Sequence, residues 1–209
     1  MTETTSDAVV HRAAPSLTAV EANARLTGSM GATLFVLFAL EGITILLHVR
    51  GVLPAHVFIG MLLVPPVLVK TASTGYRIAR YYVGDPDYVH RGPPPLILRL
   101  LGPFVIATTF LVVATGIGLV LAGRSSDWLL FAHKASFVVW FGAMALHVLG
   151  HLRETPALAA ADLGPGPAAV PGALVRGLVL TGALVAGLLL GAWSLSWIGP
   201  AWQHVRRDG

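Results

Sequence analysis

The chain has 209 residues, 55% hydrophobic and only 11% charged, with a mean hydropathy of +0.75. Soluble domains carry about a quarter of their residues as charges, so this composition excludes an ordinary soluble domain and specifies an integral membrane protein. The net charge of +4 gives no reason to expect nucleic acid as a partner, because in a membrane chain the position of each charge matters more than the sum. The absence of cysteine removes disulfides, thiolate-held iron–sulfur clusters and haem attached through C-x-x-C-H. Any redox group must be held by nitrogen, oxygen or methionine.

Residues 1–24 are polar and lack a basic start followed by an apolar run, so they read as a cytoplasmic tail rather than a cleaved signal peptide. Five apolar segments follow, each near the roughly 20 residues a helix needs to cross the hydrocarbon core. They run from Leu26 to Val49, Pro54 to Thr74, Ile97 to Ala122, Trp128 to Leu149 and Leu174 to Ile198, separated by Gly and Pro breakers. The expected fold is an all-α membrane protein. A four-helix core occupies 25–153, a flexible cytoplasmic linker 154–173, a fifth transmembrane helix 174–199 and a short outer tail 200–209.

Basic residues set the orientation. With the N-terminus inside, Arg12, Arg25, Lys70, Arg77, Arg80, Arg91, Arg99, Arg153 and Arg176 lie at cytoplasmic ends, and Arg50, Arg124, Lys134, Arg206 and Arg207 at outer ends. The excess on the first side predicts a multi-pass plasma-membrane protein whose C-terminus is outside.

Within the fourth segment, LFAHKASFVVWFGAMALHVLGHL carries His133, His147 and His151. At about 1.5 Å and 100° per residue, His133 and His147 are roughly 21 Å apart along the helix and about 40° apart around it, so they share a face. An iron held by two imidazoles needs them at matching depth on facing helices. His56, in the first turn of the second helix, matches the depth of His133, and His48 at the end of the first helix is a third candidate. His147 has no histidine opposite it; Met30 and the loop residue His90 are the nearest alternatives. His151 can reach the headgroups by snorkelling.

Glu41 lies seven residues before His48 on nearly the same face, with Thr44 as a local partner. A carboxyl at that depth serves either a proton or quinone site or a plain bond between helices. Arg50 and Lys134 stand near the outer histidines, where a cation can pair with a haem propionate or simply meet the interface. Pro65 and Pro66 should bend the second helix, and the fifth, free of ionisable groups from Gly177 to Ile198, reads as a lipid-facing or partner-facing addition.

On these residues, 25–153 resembles the four-helix membrane cytochrome b group that includes bacterial cytochrome b561 and the cytochrome b subunits of respiratory formate dehydrogenase and hydrogenase. In that group the fourth helix presents two haem-ligating histidines fourteen residues apart, as His133 and His147 stand here, and an early histidine of the second helix, resembled by His56, completes the outer site. The stretch HVFIGMLLVPPVLVKTASTGYRIARYYVGDP together with LFAHKASFVVWF is also similar to small actinobacterial membrane proteins that accompany molybdopterin-dependent oxidoreductases. The group's inner haem takes a histidine near the start of helix one, where this chain has LTGSMG.

The resemblance therefore implies haem b, one rather than two, with His56 and His133 as axial ligands and His48 or His147 as alternative or second-site ligands. It implies an electron-transfer subunit between the quinone pool and a redox partner, such as a molybdopterin oxidoreductase, embedded among membrane lipids. The competing expectation is a haem-free anchor or assembly subunit, or a small proton-coupled transporter relaying protons through Glu41 and the histidines. A self-contained reductase is disfavoured because the sequence shows no nucleotide-binding domain.

Overall fold

The computed structural model describes residues 19–92, 96–122, 126–151 and 172–198. Almost all of them are helical, and five helices are long and apolar enough to cross a membrane. The chain is a multi-pass, all-α membrane bundle. Phe35, Leu46, Phe131, Phe141, Leu146 and Leu189 are among the many large apolar side chains turned outward, as expected when the surrounding solvent is lipid.

Helix α1 spans Ala19–Leu46. It begins seven residues before the expected Leu26, because the end of the polar tail has packing of its own. Val20 and Ala24 are buried, the Asn23 amide donates to the Ser73 carbonyl at 3.0 Å, and Glu21 pairs with Arg25 at 2.9 Å. Most of the expected linker and the outer tail lie outside the described residues.

The second span is two helices, α2 (Leu53–Leu62) and α3 (Val64–Tyr82), meeting at Leu63. The break falls beside Pro65 and Pro66, which lack the N–H groups that would bond the carbonyls of Met61 and Leu62. Helical bonding resumes at once, with Val67 N–H donating to the Leu63 carbonyl at 3.0 Å. The span continues to Tyr82, beyond the expected Thr74. There a short helix α4 (Pro86–Arg91) begins, capped by the Asp85 carboxylate accepting from Asp87 N–H at 3.0 Å.

Helices α5 (Leu96–Ala122) and α6 (Asp127–His151) form an antiparallel hairpin in contact along its whole length. Helix α7 (Ala173–Ser194) ends in a 3-10 turn, Leu195–Trp197. It packs against α2 and α3, giving a unit of α1, α2–α3 and α7 beside the α5–α6 hairpin. Between the two, close backbone approach is sparse.

Two glycines explain how near α7 comes. A β-carbon at Gly187 would collide with the Leu62 carbonyl oxygen, and one at Gly191 would lie 2.8 Å from that of Phe58. The Leu62 carbonyl is one of the two left without a helical partner by the prolines, so the kink presents an open carbonyl to a helix face bare enough to accept it. The last helix is thus a packed member of the bundle. Small residues at such contacts supply the close van der Waals packing that replaces the hydrophobic effect between helices in lipid.

At the Tyr82 end, a polar seam joins α1 to α3. Thr27 and Ser73 share a hydrogen bond of 2.8 Å, and the Lys70 ammonium donates to the Thr27 carbonyl at 3.1 Å. The substitution Gly187→Ala is expected to destabilise the bundle by about 1–3 kcal/mol through overpacking. Gly142→Ala, at a position open on all sides, should leave it unchanged or slightly more stable. Unfolding free energies in detergent micelles check both.

Candidate haem-ligand site

At the end of the bundle carrying the α1–α2 turn, four helices bring polar side chains to one depth. α1 contributes Glu41 and Thr44, α2 His56, α5 the Val112 carbonyl with Thr115 and Gly116, and α6 His133 and Ser136. The centres of the His56 and His133 rings are 6.3 Å apart and their planes are inclined at 82°.

The proton on each ring follows from its neighbours. Thr44 Oγ1 donates its single hydrogen to the Glu41 carbonyl at 2.6 Å and lies 2.9 Å from His56 Nδ1, so at His56 it must accept. The Glu41 carboxyl oxygen Oε1 is also 2.9 Å from Nδ1. These contacts put the ring hydrogen of His56 on Nδ1. Across the interface, His133 Nδ1 lies 3.1 Å from the Val112 carbonyl, which only accepts, and 3.2 Å from Thr115 Oγ1. Its ring hydrogen is on Nδ1 too. Among the described residues no hydrogen bond engages Nε2 of either ring, so both lone pairs are free.

Glycine makes room for this arrangement. A β-carbon at Gly116 would stand 3.1 Å from His133 Cε1, and the Cβ position of Gly60 is 3.5 Å from Glu41 Oε1. One layer deeper, Phe38 of α1 packs on Trp140 of α6 with ring centres 4.9 Å apart, and Trp140 Nε1 donates to Thr109 Oγ1 at 2.8 Å. Phe38–Trp140 and His56–His133 are thus two stacked contacts tying the hairpin to the rest.

The other sequence candidates lie elsewhere. His48 follows the end of α1 at a left-handed φ of 60°, exposed in the turn, and is not drawn to the His56–His133 pair. Arg50, in the same turn, and Lys134, on α6, are both exposed. His147 has a buried Nδ1 without a hydrogen bond among the described residues, and its ring lies 4.8 Å from that of His151. Met30 is fully buried in α1. Sequence reasoning missed Val112, Thr115, Gly116, Thr109 and Trp140. A signal for part of this set was present, since Thr109 and Thr115 are among the few polar residues of a largely apolar segment.

Donor chemistry narrows what the pair can hold. A zinc ion in a structural site takes four ligands, whereas no group of three or more His, Asp or Glu side chains converges among the described residues. Two facing imidazoles suit an ion whose other ligands come from a macrocycle. With Fe–N bonds of about 2 Å and ring centres about 1.1 Å beyond each nitrogen, two axial imidazoles on one iron have centres roughly 6–6.5 Å apart. The 6.3 Å between the ring centres lies within that range. Comparison of the chain with family models, curated proteins and solved structures finds no match.

Trp140→Phe removes one buried hydrogen bond and should cost about 0.5–1.5 kcal/mol. In a double-mutant cycle with Thr109→Val, most of that cost should disappear in the Thr109→Val background, read as unfolding free energy in micelles.

Proposed function

We propose that the protein is a membrane electron-transfer subunit that holds one haem b between His56 and His133. The observation carrying this reading is the pair of free Nε2 lone pairs on rings 6.3 Å apart, each ring fixed by hydrogen bonds at its other nitrogen. Metal-ligating histidines characteristically donate their second N–H to a carboxylate or carbonyl. Glu41 and the Val112 carbonyl do so here. When bound, haem b supplies a one-electron Fe(III)/Fe(II) couple.

The chain's own residues position that couple. His56 and His133 come from the two packing units, so a group shared between them would sit at the interface of those units. Phe38 and Trp140 close its deeper side, keeping water out and the surroundings of low polarity, both of which tune a redox potential. The imidazole beside His147 is that of His151, one turn on along the same helix, and no histidine of a facing helix is paired with it among the described residues, which favours a single haem. In the orientation given by the basic residues, the site is near the outer face, with the N-terminus cytoplasmic. Quinone and a membrane-associated oxidoreductase, of which a molybdopterin enzyme is one kind, are the proposed exchange partners, with Arg50 and Lys134 the cations nearest in sequence for propionates.

A proton-relay transporter is served less well. His133 gives its ring hydrogen to a backbone carbonyl, which cannot pass a proton onward. A haem-free anchor gives no use to the two imidazole lone pairs that the Nδ1 contacts leave open.

Expression with ample haem, purification and a pyridine haemochrome assay should return close to one haem b per polypeptide. His56→Ala and His133→Ala should each lower haem content at least tenfold, while His48→Ala and His147→Ala retain it. A wild-type protein without Soret absorption, or full haem in His133→Ala, overturns the assignment.

A further inference from the structure

The two histidines are not held alike. The one Nδ1 hydrogen of His133 is placed between a carbonyl and a threonine, whereas that of His56 is shared between Thr44 and a carboxyl oxygen of Glu41, each 2.9 Å from Nδ1. Glu41 is seated for this contact. It comes from the facing helix α1, its side chain is only 16% exposed, and it lies against Gly60, one turn beyond His56. Its other oxygen, Oε2, is buried and has no hydrogen bond among the described residues, so His56 is the one side chain that engages the carboxyl group. A carboxyl group at this depth is costly, and its only visible use is to grip one ring nitrogen.

We propose that Glu41 is a positioning residue for His56, fixing its Nδ1–H tautomer and strengthening Nε2 as an electron donor, so that the site has one strong and one ordinary imidazole.

Two consequences follow, and only the second rests on haem being bound at this site. First, the Nδ1–H tautomer of His56 is set by the apoprotein alone. Second, an acceptor pulling on the Nδ1 hydrogen makes the imidazole a better ligand and stabilises the ferric state, which lowers the reduction potential. Thr44 contributes in the same sense more weakly, because a hydroxyl oxygen is a poorer acceptor than a carboxyl oxygen.

The first test uses full-length apoprotein labelled with 15N-histidine. Nitrogen chemical shifts should report the Nδ1–H tautomer at His56, and Glu41→Leu combined with Thr44→Val should shift that signal toward the Nε2–H form without moving His133. An Nε2–H signal at His56 in the wild-type apoprotein overturns the proposal whatever the variants do.

The second test uses haem-loaded protein in a spectroelectrochemical titration at fixed pH. Glu41→Gln, which keeps an acceptor of similar shape, should hold at least half the wild-type haem and titrate at a higher midpoint potential. Thr44→Val should give a smaller rise in the same direction. An unchanged midpoint in haem-replete Glu41→Gln overturns the role of Glu41 and leaves the ligand assignment standing. Absence of haem from the wild type, with the Nδ1–H signal present, overturns the ligand assignment and leaves the positioning role standing.

Discussion

The hydrogen bond from Nδ1 of each half-buried histidine organises one end of this bundle. An imidazole in hydrocarbon has two polar nitrogens and no water to satisfy them, so its neighbours must be chosen around it. Thr44 and Glu41 answer His56 from α1, and the Val112 carbonyl answers His133 from α5. Those acceptors set the register of each helix pair. Shifting α1 against α2 by one turn would strand His56, and shifting α5 against α6 would strand His133 and press its ring on a residue other than Gly116.

The same bonds decide which nitrogen remains available. Without them either tautomer of each ring would serve, and the pair would have no defined direction. With them, both rings keep the lone pair on Nε2, the nitrogen farther from the backbone. The coupling between the two packing units is then unusual in kind. The hairpin and the remaining helices share little close backbone packing, and their contact is through aromatic and imidazole side chains at two levels. Elsewhere cohesion comes from bare glycine surfaces against α7 and from the polar seam around Thr27, Lys70 and Ser73.

Much of this architecture was legible in the residues. Five spans follow from length and hydropathy, and three of them match the expected limits within about two residues. The break near Pro65 and Pro66 follows from missing N–H groups. The depth of His56 and His133, near the starts of helices that begin on the same side, made them candidates for one pair together with His48, and the structure brings the first two together. Other features were not legible. Helical periodicity tied Glu41 to His48, seven residues on, but the end of α1 at Leu46 carries His48 into a turn and leaves Glu41 facing α2. The Val112 contact is made by a backbone atom, which no side-chain pattern announces. The extra turns at the start of α1 arise from tertiary burial of a segment whose polarity reads as tail.

Gly187 and Gly191 bear on assembly in time. Translation runs from the N-terminus, so α2 and His56 enter the membrane well before the helix that will lie against the Leu62 and Phe58 carbonyls has been made. Through that interval the kinked span has α1 for support on one side and an uncovered carbonyl on the other. The last span to be synthesised therefore closes the surface against which the second is finally fixed.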